Sequence, residues 1–298
     1  MPEFTMEMVR EWWRNTTGES HYNKTLAGLI SKGSDAKLRE YIRRLCLEGV
    51  IEPVGKRDGM YRLIQEMPEP VDWQGVDEYR DFPIVLPFEL RKYVWIDPGS
   101  SIMVAGSKDS GKSGFILRTV AMNMYNVNTV LISNIEGGIS QIKRRFNAMD
   151  IDIPTPAPFK IYHAVDNFHD FIKEPNTLYA VDYIDVPDTG EYFMIAPAIA
   201  KIQTKLRAKL SEEVVNHGSV ALIGLQKSKR SDIAFGGEQT LKKASLYLAM
   251  DKGRIKIVSA KVHADPKINP TNMAWTFQYD DEGTKFINPL RDYGDNGR

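Results

Sequence analysis

Eight residues narrow the possible folds of this chain more than any other stretch. Gly106-Ser-Lys-Asp-Ser-Gly-Lys-Ser113 matches the spacing G-x-x-x-x-G-K-[S/T]. Four set positions match by chance somewhere in such a chain on the order of one time in a hundred. The flanks lower that chance further. Ile102, Val104 and Ala105 predict a short buried strand before the loop, and Phe115, Ile116, Leu117 and Val120 an apolar helical face after it. Strand, glycine-rich loop and helix in that order predict an α/β fold with a mostly parallel sheet flanked by helices. In such a loop, backbone N–H groups and the helix N-terminus surround phosphate oxygens. The expected nucleotide cradle is Gly106, Ser107, Lys108, Asp109, Ser110, Gly111, Lys112, Ser113 and Gly114. Lys112 is placed to reach the β- and γ-phosphates of ATP, and Ser113 to ligate Mg²⁺.

A phosphate loop that supports hydrolysis needs partners at neighbouring strand ends. Leu178-Tyr-Ala-Val-Asp182 is an apolar run ending in an acid, which predicts a metal-shell carboxylate. Val130-Leu-Ile-Ser-Asn-Ile-Glu136 lies between the two, and Glu136 is the candidate base for an attacking water. Val220-Ala-Leu-Ile-Gly-Leu-Gln226 ends in an amide that can sense the γ-phosphate. The stretch that follows, residues 227–237, holds Lys227, Lys229 and Arg230 with two glycines. A basic, mobile loop of that kind suits a nucleic-acid backbone, and its plainer alternative is a solvated surface loop.

Charge and cysteine content exclude several classes. The 298 residues carry 39 basic and 39 acidic side chains, so the chain is not a polycation that coats nucleic acid by bulk charge. Cys46 is the single cysteine, which excludes an internal disulfide and a cysteine-rich zinc site. No apolar run reaches the length of a membrane span, and the N-terminal residues lack a signal pattern, so a cytoplasmic protein is expected.

The chain divides in sequence into residues 1–66, a linker over 67–85 rich in proline and acids, and residues 86–298. Residues 6–14, 21–31 and 35–48 show helical apolar spacing, and residues 50–54 and 60–64 flank an Asp58-Gly59 turn. Three helices and a hairpin resemble a winged helix-turn-helix. That resemblance implies DNA contact through Arg39, Arg43 and Arg44 on the third helix and Lys56 and Arg57 on the wing. The plainer reading is a packing or protein-docking domain, since eleven basic residues nearly cancel ten acidic ones there.

The order of the motifs over residues 86–290 resembles the RecA-like P-loop core of the DnaB-type hexameric replicative helicases. The similarity rests on Gly106–Ser113, on Ile135-Glu136 with the Gln141 and Arg145 helix, on Val181-Asp182-Tyr183, on Gly224-Leu-Gln226 with its trailing loop, and on Trp275-Thr-Phe-Gln-Tyr279. It implies a Mg²⁺-dependent ATPase that assembles as a homo-hexamer around single-stranded DNA, as a helicase or translocase in replication or recombination of a phage or mobile element. Where that family carries Lys-x-Arg, with the arginine entering the neighbouring subunit's site, this chain reads Lys261-Val-His263. His263, Lys261 or nearby Arg254 are therefore the candidates for that role. The winged helix in place of the family's N-terminal module leaves a second class open: a nucleotide-gated helicase loader, partition or regulatory ATPase without unwinding.

Overall fold

The computed structural model describes residues 4–16, 18–22, 35–55, 59–64, 74, 81–134, 137–185, 191–211, 218–280 and 282–293. The chain forms two compact units, Met1–Gly75 and Val76–Arg298.

In the smaller unit, helix α1 (Met6–Arg14) starts where the Thr5 hydroxyl accepts from the Met8 amide at 3.4 Å, the usual way of satisfying an orphan N–H. Strand β1 (Glu19–His21), helix α2 (Asp35–Leu47) and strands β2 (Ile51–Pro53) and β3 (Met60–Leu63) follow. The sheet is antiparallel in the order β1-β3-β2. Val9 and Trp13 from α1 close on Leu38, Ile42 and Leu45 from α2 and on Ile51. That face of α2 is buried because its apolar residues recur at helical spacing. Arg39 and Arg43 stand exposed on α2, while Arg44 pairs with Glu40 at 2.9 Å. The helix expected from residue 21 is corrected at its start, because His21 pairs with Met60 in β1. Its remaining residues from 23 on lie outside the described residues, as do Lys56 and Arg57.

The larger unit holds β4 (Ser101–Gly106), α3 (Lys112–Asn123), β5 (Asn128–Ser133), α4 (Ile139–Asn147), β6 (Lys160–His163), β7 (Thr177–Ile184), α5 (Ile195–Ser211), β8 (Val220–Gln226), α6 (Glu238–Lys243) and β9 (Leu246–Asp251). Three further strands are β10 (Arg254–Ala260), β11 (Ala274–Tyr279) and β12 (Phe286–Asp292). They form one nine-stranded sheet in the order β12-β11-β10-β9-β4-β8-β7-β5-β6. From β9 to β6 the pairing is parallel; β10, β11 and β12 extend it antiparallel.

Alternation along each strand divides the core in two. Ile102 and Val104 of β4 join Phe115, Ile116 and Val120 of α3 on one face. Met103 and Ala105 join Ile195, Ile199 and Ile202 of α5 on the other. Both faces are covered, which is why the parallel strands read as continuous apolar runs rather than alternating ones. Phe82 and Ile84 are buried in the α3-side core, and Asp81 accepts from the Ile96 amide at 2.9 Å. Residues 81–85 therefore belong to the larger unit and not to the expected linker; proline and acid content hid two apolar anchors. Among the described residues, no helix is long and apolar enough to cross a membrane.

Gly114 shows how tightly α3 is held. A Cβ built there would run into the carbonyl oxygen of Gly283, in the turn before β12. Alanine in a helix interior ordinarily gains about 0.5–1 kcal/mol over glycine. Forcing backbone apart in a packed interior costs about 1–3 kcal/mol, so the clash wins. Gly114→Ala is therefore expected to lower the urea midpoint of the full chain, despite its better helix propensity.

Candidate functional site

A cleft of about 1030 Å³ opens at the C-terminal ends of β4, β7 and β8, where open parallel sheets ordinarily receive ligands. Residues 106–114 form its floor. The loop's conformation needs its glycines. Gly111 has φ 87° and caps α3, while a Cβ on Gly106 would lie 2.5 Å from Ser110 Oγ and 2.9 Å from Lys112 Cβ. Asp109 also takes a left-handed φ of 59°. Its carbonyl accepts from the Tyr279 hydroxyl at 2.7 Å, which anchors the outermost bend of the loop to β11. Burial, and then the neighbouring Asp109 charge, push the Tyr279 phenol above its ordinary range.

Three features of the loop suit a polyphosphate. Ser110 is buried, and its hydroxyl has no hydrogen-bond partner among the described residues. A buried hydroxyl is costly without one, and a phosphate oxygen supplies it. Lys112 is buried and holds its ammonium 3.7 Å from the centroid of the Tyr183 ring, a close cation–π contact at the first turn of α3. Ser113 Oγ donates to Asp182 Oδ1 at 3.0 Å. A hydroxyl and a carboxylate side by side are the hard oxygen donors that Mg²⁺ prefers. Among the described residues there is no cluster of three or more His, Cys, Asp or Glu able to hold a metal.

The other expected residues fall in different places. Gln226 ends β8, half-buried, and borders the cleft. Glu136 lies outside the described residues. Lys261 and His263 follow β10 and do not line the cleft of their own chain; Lys261 Nζ donates to the Lys242 carbonyl at 3.3 Å, and His263 makes a backbone bridge with Val94. Lys229 and Arg230 are exposed at the tip of their loop.

Lys227 is a correction. It was expected on the exposed basic loop, yet its side chain has no exposed surface and its ammonium sits 2.7 Å from Asp251 Oδ1. The reason is backbone pairing. Lys227 N–H donates to the Gly106 carbonyl at 3.1 Å and the residue bridges Ala234, which turns its side chain inward toward the end of β9. Ser107 Oγ donates to the same Asp251 oxygen at 3.0 Å.

Asp251 and Tyr279 carried no signal in sequence as site residues, because each reaches the loop only across the sheet; Lys252, after β9, borders the cleft. Gln141 and Arg145 line the opposite wall of the cleft, one turn apart on α4. Their i, i+4 spacing was visible before the fold was known. No protein-family model matches the chain, and no curated protein shows significant similarity to it.

Proposed function

We propose that the chain is a cytoplasmic, DNA-dependent ATPase with a RecA-like P-loop core. In this reading it works as a homo-hexameric helicase or translocase in the replication or recombination of a phage or mobile element. The observation that carries the reading is the Ser113 hydroxyl lying 3.0 Å from the Asp182 carboxylate, at the mouth of a loop with an unpartnered buried hydroxyl at Ser110.

The roles follow from placement. Lys112 leaves the Tyr183 ring to meet the β- and γ-phosphates, and the N–H groups of the loop cradle them. Ser113 would hold Mg²⁺ directly, and Asp182 would hold its water shell. When bound, the cation would supply charge neutralisation for the phosphates. Glu136 takes a proton from water as its oxygen bonds to the γ-phosphorus, and the bond to the ADP oxygen breaks. Gln226 senses the γ-phosphate. Lys261 or His263 supplies charge to a neighbouring subunit's site. Lys229 and Arg230 contact single-stranded DNA. The smaller unit, as a winged helix, meets duplex through Arg39, Arg43 and Arg44, with Lys56 and Arg57.

The test is steady-state ATP hydrolysis with Mg²⁺, with and without single-stranded DNA. Stimulation by single strands and loss with a chelator are expected. Hydrolysis indifferent to DNA of either form would overturn the motor reading. Lys229→Glu with Arg230→Glu should weaken single-strand binding and flatten its salt dependence by about two counterions, while basal hydrolysis stays unchanged.

A second reading is a nucleotide-gated loader, partition or regulatory ATPase. It is favoured by the burial of Lys227, which leaves Lys229 and Arg230 as the exposed cations of that loop. ATP-dependent assembly without strand separation would select it.

A further inference from the structure

Lys227 and Asp251 do not line the cleft, and neither takes part in the proposed hydrolysis. Their geometry nevertheless converges on the first residues of the phosphate loop. Asp251 ends β9, which runs parallel to β4 with Met250 opposite Gly106. The Ser107 amide donates to the Met250 carbonyl at 3.3 Å, and the Ser107 hydroxyl to Asp251 Oδ1 at 3.0 Å. From the other flank, Lys227 donates its N–H to the Gly106 carbonyl at 3.1 Å and its ammonium to that same Oδ1 at 2.7 Å. Three hydrogen bonds thus fix residues 106 and 107, and a fourth ties Lys227 to Asp251.

A carboxylate is the strongest available acceptor for the Ser107 hydroxyl, but it is the wrong charge to leave beside a polyphosphate. A fully buried ammonium on the same oxygen cancels it. Conversely, a lysine hidden in this way offers nothing to DNA or to phosphate. We propose that Asp251 is a positioning residue that sets the entry of the phosphate loop through Ser107, and that Lys227 serves to neutralise and orient Asp251. The proposal rests on the ATP-binding reading above.

Two features separate this role from general scaffolding. If Asp251 acts through Ser107, Ser107→Ala and Asp251→Asn weaken Mg-ATP binding by similar factors, and the double variant is no worse than either. Residues that act as one unit are non-additive in this way. If Lys227 acts by cancelling charge, Lys227→Met weakens Mg-ATP binding about tenfold, and weakens Mg-ADP, which carries less charge, by a smaller factor. Adding Asp251→Asn to Lys227→Met then raises affinity to that of Asp251→Asn alone, because the uncancelled charge is gone. A purely structural pair would instead weaken Mg-ATP and Mg-ADP alike when Lys227 is removed.

The experiment is calorimetric titration of Mg-ATP and Mg-ADP into the full chain and these variants, with Lys112→Ala alongside and thermal midpoints recorded. Ser107→Ala removes a single oxygen and keeps the test decisive if an Asp251 variant fails to fold. Similar, non-additive losses and recovery in the Lys227→Met/Asp251→Asn pair are expected. Additive losses, or no recovery, overturn the inference while nucleotide binding abolished by Lys112→Ala leaves the ATP reading standing. An unaltered chain that binds neither nucleotide overturns both.

Discussion

Lys112→Ala is expected to lower kcat for ATP hydrolysis by about 10²–10³-fold, the usual loss when one preorganised group facing developing charge is removed. The lysine is buried at the start of α3 beside the loop, and its ammonium has to leave the Tyr183 ring to meet phosphate. Lys112→Arg should not rescue. A guanidinium is planar and forked and does not take the place of a compact ammonium as a point charge. Single-turnover hydrolysis of saturating Mg-ATP, compared across the three proteins, checks this. Undiminished turnover in the alanine variant would remove residues 106–114 from the chemistry altogether.

The second large effect concerns stability. Asp251→Ala takes the carboxylate from the buried Lys227 ammonium and leaves it the Ser228 carbonyl at 3.4 Å. Removing one member of a buried ion pair costs about 3–5 kcal/mol. The lower end is expected here, because the Asp251 side chain is itself 39% exposed and water can enter where it stood. Lys227→Met should be far milder. It leaves Asp251 with Ser107 and solvent, and fills the lysine's space with an apolar chain of similar length. Urea unfolding of the full chain would show the asymmetry as a large midpoint shift for the first variant and a small one for the second. Equal shifts would mean that packing, not charge, sets the cost.

What could be read in sequence follows from how local each feature is. The strand, loop and helix over residues 101–123 are contiguous, and an apolar run ending in Asp182 is equally self-contained, so both were legible. The observed Ser113–Asp182 bond joins two motifs that had been found separately. Lys227 was misread because its neighbours, Ser228, Lys229 and Arg230, are solvent-facing, and only Asp251, in another strand, explains its burial. Strand β1 was missed because three residues are too few to show a period, and its pairing partner lies 40 residues on. Phe82 and Ile84 were hidden by the acidic, proline-bearing stretch around them. Tyr279 reaches the loop from 170 residues away, a distance no spacing rule spans.

That last separation bears on how the molecule is made. The bend at Asp109 is held by Tyr279, Gly114 packs against Gly283, and Arg118 donates to the Thr284 carbonyl 166 residues on. During translation the loop residues emerge long before any of these partners. A ligand stabilises a protein only through a form that binds it, and the cleft gains these supports only after β11 and the turn before β12 have left the ribosome. Contacts of such long range also close slowly, because the loop entropy must be overcome before they form. The phosphate loop is thus among the first parts of the cleft to be synthesised and the last to be completed.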